Sequence, residues 1–394
     1  MTTDERVKLL NEVGQEIVTQ EELVDFLSKN ASFTCYDGFE PSGQMHIAAG
    51  ILRVINVNKA IATGAHFKML VADWHAYLNN KMDGDLEKIQ TVGKYFIEVW
   101  KAAGMDMNHV KFLWASEAVK DPKYWELVMK IAKTNSIKRF AHSAEIIGRA
   151  ESDSLTLAQL MYVAMQAADV FYLDAKVTQL GMDQRKVNML AREIANQLGF
   201  QKPIVVSHHM LLGLIAKPTS VTISTNTSNE PQTHELASGD ITVPPGVTGT
   251  FSESVVDRTI RMKMSKSNPD SAIFMTDSTE EISRKIAKAY CPEGIVEENP
   301  ILEYCKYIIF ESLERLGLSE ITIERPEKFG GNISFTSYEA LESAFVSKDI
   351  HPMDLKNTVA ALLDQLLQPV RKHFEENEEA KKLLEQVKSF NVTR

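Results

Sequence analysis

At 394 residues the chain is too long for one ordinary small core, so two domains are the default expectation. Apolar residues make up 44% and charged residues 24%, the balance of a soluble globular protein, and no apolar run approaches the ~20 residues that would cross a bilayer. The net charge of −10 argues at first sight against nucleic acid, but binding depends on where the basic residues lie.

Met1 to Glu22 is charged and lacks a signal-peptide core, so nothing argues for export. Cys35, Cys291 and Cys305 are widely spaced, odd in number and free of any CxxC pattern, which fits reduced thiols in the cytoplasm. Residues 1–30 read as an N-terminal helical segment, with Val7, Leu10, Val13 and Ile17 at helical spacing. Residues 31–262 then alternate short apolar runs with amphipathic stretches. Strands are predicted at Phe33–Tyr36, Phe67–Ala72, Val110–Trp114 and Ile204–Val206, and helices at Ile47–Ala62, Leu86–Ala103 and Gln184–Leu198. This pattern predicts an α/β, Rossmann-like doubly wound parallel sheet, whose ligands bind at the carboxyl ends of the strands. Tyr36, Asp73-Trp74-His75 and Ser116-Glu117 fall near such ends.

Two basic segments follow strand 110–114: Lys130, Lys133, Lys138, Arg139 and Arg149, then Arg185 and Lys186. Lys130 and Lys133 taken singly read better as a solvated helix face. Residues 218–257 differ from their surroundings, with no Lys or Arg and fourteen Ser or Thr. We read them as a peripheral insert, in which Val221-Thr222-Ile223 and Ile241-Thr242-Val243 would permit a small hairpin. Residues 263–276 form a loop and linker, and residues 277–394 a mainly helical domain. There Ser278-Thr279-Glu280-Glu281 marks a helix start, Pro326–Gly331 a loop, and Leu355–Phe374 an apolar-faced helix with a kink at Pro369.

Two elements carry chemistry. Phe39-Glu40-Pro41-Ser42-Gly43-Gln44-Met45-His46-Ile47-Ala48-Ala49 places a strand, a turn and a histidine ahead of a helix. A helix N-terminus offers free N–H groups to phosphate, and small residues let a nucleotide approach. Lys263-Met264-Ser265-Lys266-Ser267 sets two ammonium groups three positions apart before the Asn268-Pro269-Asp270 turn. Cations on a loop can tighten on a polyphosphate as charge develops. Each element alone is commonly an ordinary loop.

Together they resemble the HIGH and KMSKS signatures of class I aminoacyl-tRNA synthetases. Tyr36–Gly43, Val71–Asn79, Gly181–Lys186, Arg325–Gly331 and His351–Asn357 are similar to tyrosyl-tRNA synthetases of the archaeal and eukaryotic type, over about Phe33 to Phe374. The resemblance implies activation of tyrosine by ATP, then transfer to the 3′-terminal adenosine of tRNA(Tyr). It implies His46, Lys263 and Lys266 as catalytic, and Gly43, His46, Ala49, Lys263, Met264, Ser265, Lys266 and Ser267 around ATP. Tyrosine would meet Tyr36, Gly38, Glu40, His75, Tyr162, Gln166, Asp169 and Gln184, with Asp73 structural.

Tyr162, Gln166 and Asp169 are spaced i, i+4, i+7 in an apolar segment, one face of a helix; a self-satisfied Gln166–Asp169 pair stays open. The tRNA would meet Arg149, Arg185 and Lys186 at the acceptor end and Phe329, His351 and Asp354 at the anticodon. Phe329 as core and Asp354 as a helix cap are the structural alternatives. Magnesium is expected as the nucleotide's partner ion, with no dedicated metal site, and a homodimer is implied by resemblance alone. Ala49 stands where the family pattern has a second histidine. A tryptophanyl-tRNA synthetase and a catalytically inactive, synthetase-derived RNA-binding protein are the rival readings.

Overall fold

The apolar runs of the first half of the chain build one six-stranded sheet. A computed structural model describes residues 1–147, 155–215, 220–223, 232–235, 264 and 269–390. The strands are β1 (Gly14–Val18), β2 (Phe33–Phe39), β3 (Ala65–Val71), β4 (Val110–Trp114), β5 (Val177–Thr178) and β6 (Ile204–His208). Their order is β1-β6-β5-β2-β3-β4, with β1 antiparallel to β6 and every other pair parallel. From β2 the chain winds outward through β3 and β4, then returns to the other side of β2 through β5 and β6. The winding reverses between β2 and β5, and the crevice at such a reversal is where open α/β sheets bind ligands. Tyr36 pairs with Thr178 across that boundary, and the backbone N–H of Gln179 donates to the Tyr36 carbonyl at 2.8 Å.

The β2–β6 core is apolar on both faces, as parallel strands covered by helices must be, with Cys35, Phe67, Met69, Val177 and Val205 each at most 1% exposed. The helix predicted at 47–62 opens with a π-turn at Ala48–Leu52 before the α-helix Arg53–Ala62. Such turns occur often at functional sites. The helix Leu86–Ala102 buries Val92, Tyr95, Phe96, Val99 and Trp100 on one face.

The N-terminal segment is not wholly helical. Helices Thr3–Val13 and Gln20–Lys29 flank β1, which adds an edge strand to the sheet. Ile17 and Val18 fit the helical spacing, but pairing with Val206 and Val205 satisfies both backbones, and tertiary pairing overrides the local pattern. Arg6 ties this segment down, donating to the carbonyls of Thr63, Leu27 and Asn30 at 2.7–2.8 Å. In the insert, Ser220–Ile223 does form a strand, but it pairs antiparallel with Gln232–Glu235; Ile241-Thr242-Val243 lies outside the described residues.

Two compact units emerge, and no single cut in the chain separates them. One comprises Met1–Met210, Ser265–Thr279 and Leu363–Arg394; the other comprises Leu211–Met264 and Glu280–Leu362. The chain returns to the first unit because its last helices have apolar faces that cover Leu86–Ala102. Phe374 lies 5.4 Å from the Tyr95 ring, and His373 Nε2 is 2.7 Å from Glu98 Oε2. The helix containing Pro369 runs from Pro352 to Glu376. The second unit buries Ile282, Ile286, Ile301, Leu302, Ile308, Leu341, Phe345 and Leu355. A short ribbon, Ile321–Ile323 paired with Ile333–Phe335, frames its Pro326–Gly331 loop.

Candidate active site

The helix Leu157–Tyr172 starts at a capping box made by Thr156 and Gln159. It carries Tyr162, Gln166 and Asp169 inward, at 5%, 7% and 2% exposure. Polar groups so deep need partners, and each has a different one. Asp169 accepts a hydrogen bond from the Tyr124 hydroxyl on Oδ1 at 2.8 Å, and its Oδ2 lies 3.1 Å from His75 Nε2. Gln166 donates to Gln184 Oε1 at 3.0 Å, and Gln184 donates in turn to the Ile146 carbonyl at 3.0 Å. The Gln166–Asp169 pair left open by the sequence is therefore not the arrangement adopted. Gln166 Oε1 is buried with no protein partner, an acceptor available to a ligand.

Tyr36, on β2, is buried within reach of the Asp169 charge. Burial, then the charges of Asp169 and Asp37, hold its phenol well above the usual range, so it stays a neutral donor. Gly38 leaves room for that phenol, since a Cβ there would sit 3.0 Å from the Tyr36 hydroxyl. Burial would lower His75, but the charge and hydrogen bond of Asp169, aided by Glu40 and Asp73, outweigh it and raise the imidazole. His75 also stands edge-on to the Tyr162 ring at 5.0 Å. Burial, then Glu40 through charge and a hydrogen bond, keeps the Tyr162 phenol protonated. Glu40 is oriented by Asn79 Nδ2 at 3.1 Å and by Lys81 at 3.7 Å. Of the residues expected around tyrosine, Tyr36, His75, Tyr162, Gln166 and Asp169 are buried, and Gly38, Glu40 and Gln184 are partly exposed.

Asp73 is structural, as expected. Its carboxylate accepts from the Trp74 and Ser116 backbone N–H groups at 2.9 Å and from Gln90 at 3.0 Å, joining the ends of β3 and β4. Tyr124 and Asn79 bond the candidate site residues Asp169 and Glu40, and sequence reasoning did not assign them. Asn79 lies in a stretch that carries the resemblance, which was a usable signal. Tyr124 offered none, because an aromatic on an apolar helix face reads as core.

On the nucleotide side, Gly43 takes φ +84°, a left-handed turn that favours glycine. His46 is half-buried, and its Nδ1 accepts from the Ala49 N–H at 3.3 Å. The Ala49 carbonyl receives the Trp100 indole N–H at 2.7 Å. Two backbone bonds stitch this turn to the stretch just after the lysine motif: Ile47 N–H to the Ile273 carbonyl at 2.8 Å, and Met275 N–H to the Met45 carbonyl at 2.9 Å. Gly50 permits that approach, since a Cβ there would lie 2.1 Å from Met275 Sδ. Lys263, Ser265, Lys266, Ser267 and Arg149 lie outside the described residues. Met264 is buried, with its sulfur 4.0 Å from the Tyr304 hydroxyl.

Of the expected tRNA contacts, Arg185 holds Glu16 of β1 through two bonds, at 2.6 and 3.0 Å, and Lys186 donates to the His142 carbonyl at 3.2 Å. In the second unit Phe329 is 63% exposed, so it is not core, and Lys328 Nζ stands 4.8 Å from its ring. Arg325 holds the loop by donating to the Gly331 carbonyl at 2.8 Å and to the Asp349 carbonyl. His351 Nδ1, not Asp354, accepts from the helix start, taking the Met353 N–H at 3.2 Å; Asp354 sits within the first turn.

The family profile described as tRNA synthetases class I (W and Y) matches residues 28–219 and 242–368. The unmatched stretch falls inside the Ser/Thr-rich window. The chain is 46% identical to tyrosine–tRNA ligase 1, cytoplasmic, of Arabidopsis thaliana, covering 99% of this chain and 90% of that protein. It is 37% identical to a tyrosine–tRNA ligase of Saccharolobus islandicus, with both chains fully covered. Among solved structures, tyrosyl-tRNA synthetase of Pyrococcus horikoshii complexed with L-tyrosine matches at TM-score 0.82 and 34% identity, over 98% of this chain and 100% of that one. A Leishmania major tyrosyl-tRNA synthetase in complex with tyrosinol matches at TM-score 0.80 and 41% identity; this chain is 99% covered but spans 53% of that longer chain. The chain belongs to the tyrosyl-tRNA synthetases, among the class I synthetases for tryptophan and tyrosine.

Proposed function

We propose that this chain is a tyrosine–tRNA ligase. The tyrosine carboxylate attacks the α-phosphorus of ATP, the bond to pyrophosphate breaks, and tyrosyl-adenylate remains. A hydroxyl of the 3′-terminal adenosine of tRNA(Tyr) then attacks the tyrosyl carbonyl, and AMP leaves. A carboxylate is already a nucleophile, so the first step needs positioning and phosphate neutralisation more than a base.

The observation that carries the reading is the buried polar cluster around Asp169. The Asp169 carboxylate and the Tyr36 hydroxyl provide an acceptor and a donor for a phenol, in a site otherwise lined by packed side chains. Tyr162, Gln166 and Gln184, with Glu40 behind Tyr162, hold the substrate's ammonium end. Gly43 and Ala49 present backbone to the nucleotide, His46 donates to a phosphate oxygen, and Lys263 and Lys266 follow the departing pyrophosphate. Ser265, Ser267 and the Met264 backbone complete that loop. A magnesium ion travelling with ATP supplies further neutralisation of phosphate charge.

Arg149, Arg185 and Lys186 meet the acceptor end of tRNA, which for Arg185 means exchanging Glu16 for a phosphate. Phe329, which is exposed, stacks on an unpaired anticodon base while His351 and Asp354 read its edge, an aromatic face and a carboxylate being a normal way to read an unstacked base. The chain works in the cytoplasm as a homodimer. Trp125, Met129 and Ile137 are exposed apolar side chains that a second copy would cover. ATP–pyrophosphate exchange with each amino acid tests the reading. Exchange driven by tyrosine is expected; exchange driven by tryptophan alone, or none at all while tRNA still binds, overturns it.

A further inference from the structure

We propose that Tyr124 and His75 are positioning residues for amino-acid selection, each holding one oxygen of Asp169 so that the carboxylate faces a substrate phenol. This inference rests on the reading that the pocket takes tyrosine. Tyr124 comes from the helix Pro122–Thr134. Its hydroxyl is 2.8 Å from Asp169 Oδ1 and 3.3 Å from the Met165 carbonyl. His75 comes from the opposite side, off the helix Asp73–Leu78, with Nε2 3.1 Å from Asp169 Oδ2. Tyr124, His75, Asp169 and Tyr36 are 0%, 1%, 2% and 1% exposed, so water does not compete for these bonds.

The terminal torsion of an aspartate is broad, and a carboxylate among apolar neighbours has no preferred plane of its own. The Tyr124 hydroxyl bonded to one oxygen, with the His75 imidazole 3.1 Å from the other, restricts that plane. The Tyr124 ring is itself fixed: it packs edge-on to Tyr172 at 5.2 Å, and the Tyr172 hydroxyl donates at 3.0 Å to Asp121, which caps the helix bearing Tyr124. Burial, then the charge of Asp169, holds the Tyr124 phenol far above its ordinary range, so it remains a donor. A rigid acceptor discriminates because phenylalanine would leave it unpaired at full cost, whereas a carboxylate free to turn finds other partners and lowers that cost.

The test is steady-state ATP–pyrophosphate exchange by the full chain and its Tyr124→Phe variant, with tyrosine and with phenylalanine. The ring is kept and only the donor is lost. We expect kcat/KM for tyrosine to fall roughly 10- to 100-fold, mainly through KM, with KM for ATP unchanged and kcat/KM for phenylalanine unchanged or raised. In an Asp169→Asn background the same substitution is expected to add little. Equal losses for both amino acids, no loss for either, or full additivity with Asp169→Asn overturns the proposal. Should Tyr124→Phe fail a thermal-unfolding check, His75→Leu takes its place, and a folded His75→Leu protein with intact discrimination overturns it equally. A parent protein without tyrosine-driven exchange would refute the ligase reading and this inference together; an active parent with unaltered discrimination in the variants refutes this inference alone.

Discussion

The tyrosine pocket and the Pro326–Gly331 loop represent opposite ways of reading a ring. Around Asp169, Tyr36, His75 and Tyr124 are nearly sealed from solvent, with Tyr124 bonded to the Asp169 carboxylate and His75 3.1 Å from it. On the loop, Phe329 is 63% exposed and touches little beyond a neighbouring lysine. A sealed polar site selects by making any mismatch leave a buried group unpaired. An exposed aromatic selects weakly, because every base has a face to stack on. On the proposed reading, the amino-acid choice resides in a prebuilt buried cluster and the tRNA choice in surfaces completed by the partner.

Substitutions can break that contrast, and the largest effect belongs to neither region. Replacing Lys263 or Lys266 by alanine removes charge that acts as pyrophosphate leaves; the exchange kcat is expected to fall roughly 10²- to 10³-fold with the tyrosine KM little changed. A loss confined to KM would remove these lysines from the chemical step. Tyr36→Phe should cost about 10- to 100-fold in kcat/KM for tyrosine by deleting a buried donor, and a tyrosine titration at saturating ATP measures it. Phe329→Ala should lower kcat/KM for tRNA charging about 5- to 100-fold, the worth of one stacked base, while amino-acid activation persists. Equal damage to both steps would show that the loop serves the fold.

Gly50→Ala forces Met275 away from the His46 turn and should cost ~1–3 kcal/mol of stability, with a parallel loss of exchange. Met275→Ala in the same chain is expected to restore activity, and a double mutant as poor as the single would disprove the steric explanation.

The last effect concerns pH. Burial, then the charge of Arg53, lowers His208 from 6.5 to about 4. The unfolded chain thus binds more protons between those values, so this group's stabilisation is present above 6.5 and lost as pH falls through 4. Asp37 is raised from 3.8 to about 6 by burial, against the opposing pull of Arg53 at 2.5 Å. Its contribution is present below 3.8 and lost as pH rises through 6, so the two slopes oppose each other. His208→Gln should leave the Asp37 slope exposed, with stability declining by up to about 3 kcal/mol from pH 4 to 6 in urea unfolding. A rise over that range would show that Asp37 is not the opposing group.

Much of this was legible in advance, for identifiable reasons. β4 was predicted with both ends correct, β2 and β6 with the first end correct, and β3 in place with neither end matched, because continuous apolar runs mark strands buried on both faces. The i, i+4, i+7 stripe of Tyr162, Gln166 and Asp169 stood out because three polar groups break an apolar helix. β5 escaped because two residues, Val177–Thr178, carry no periodicity, and β1 because its residues also fit a helix. Tyr124 escaped because its role depends on a partner 45 residues away.

The sequence by itself determined the family, the sheet's main strands and the chemical identity of the pocket residues, since these depend on local pattern and on short ordered motifs. The tertiary structure alone decided which polar group meets which. Asp169 answers to His75 and Tyr124 rather than to Gln166, Arg185 is held by Glu16, and the last helices return to cover Leu86–Ala102. Those choices follow from desolvation, which makes an unpaired buried donor or acceptor costly, wherever in the chain its partner lies.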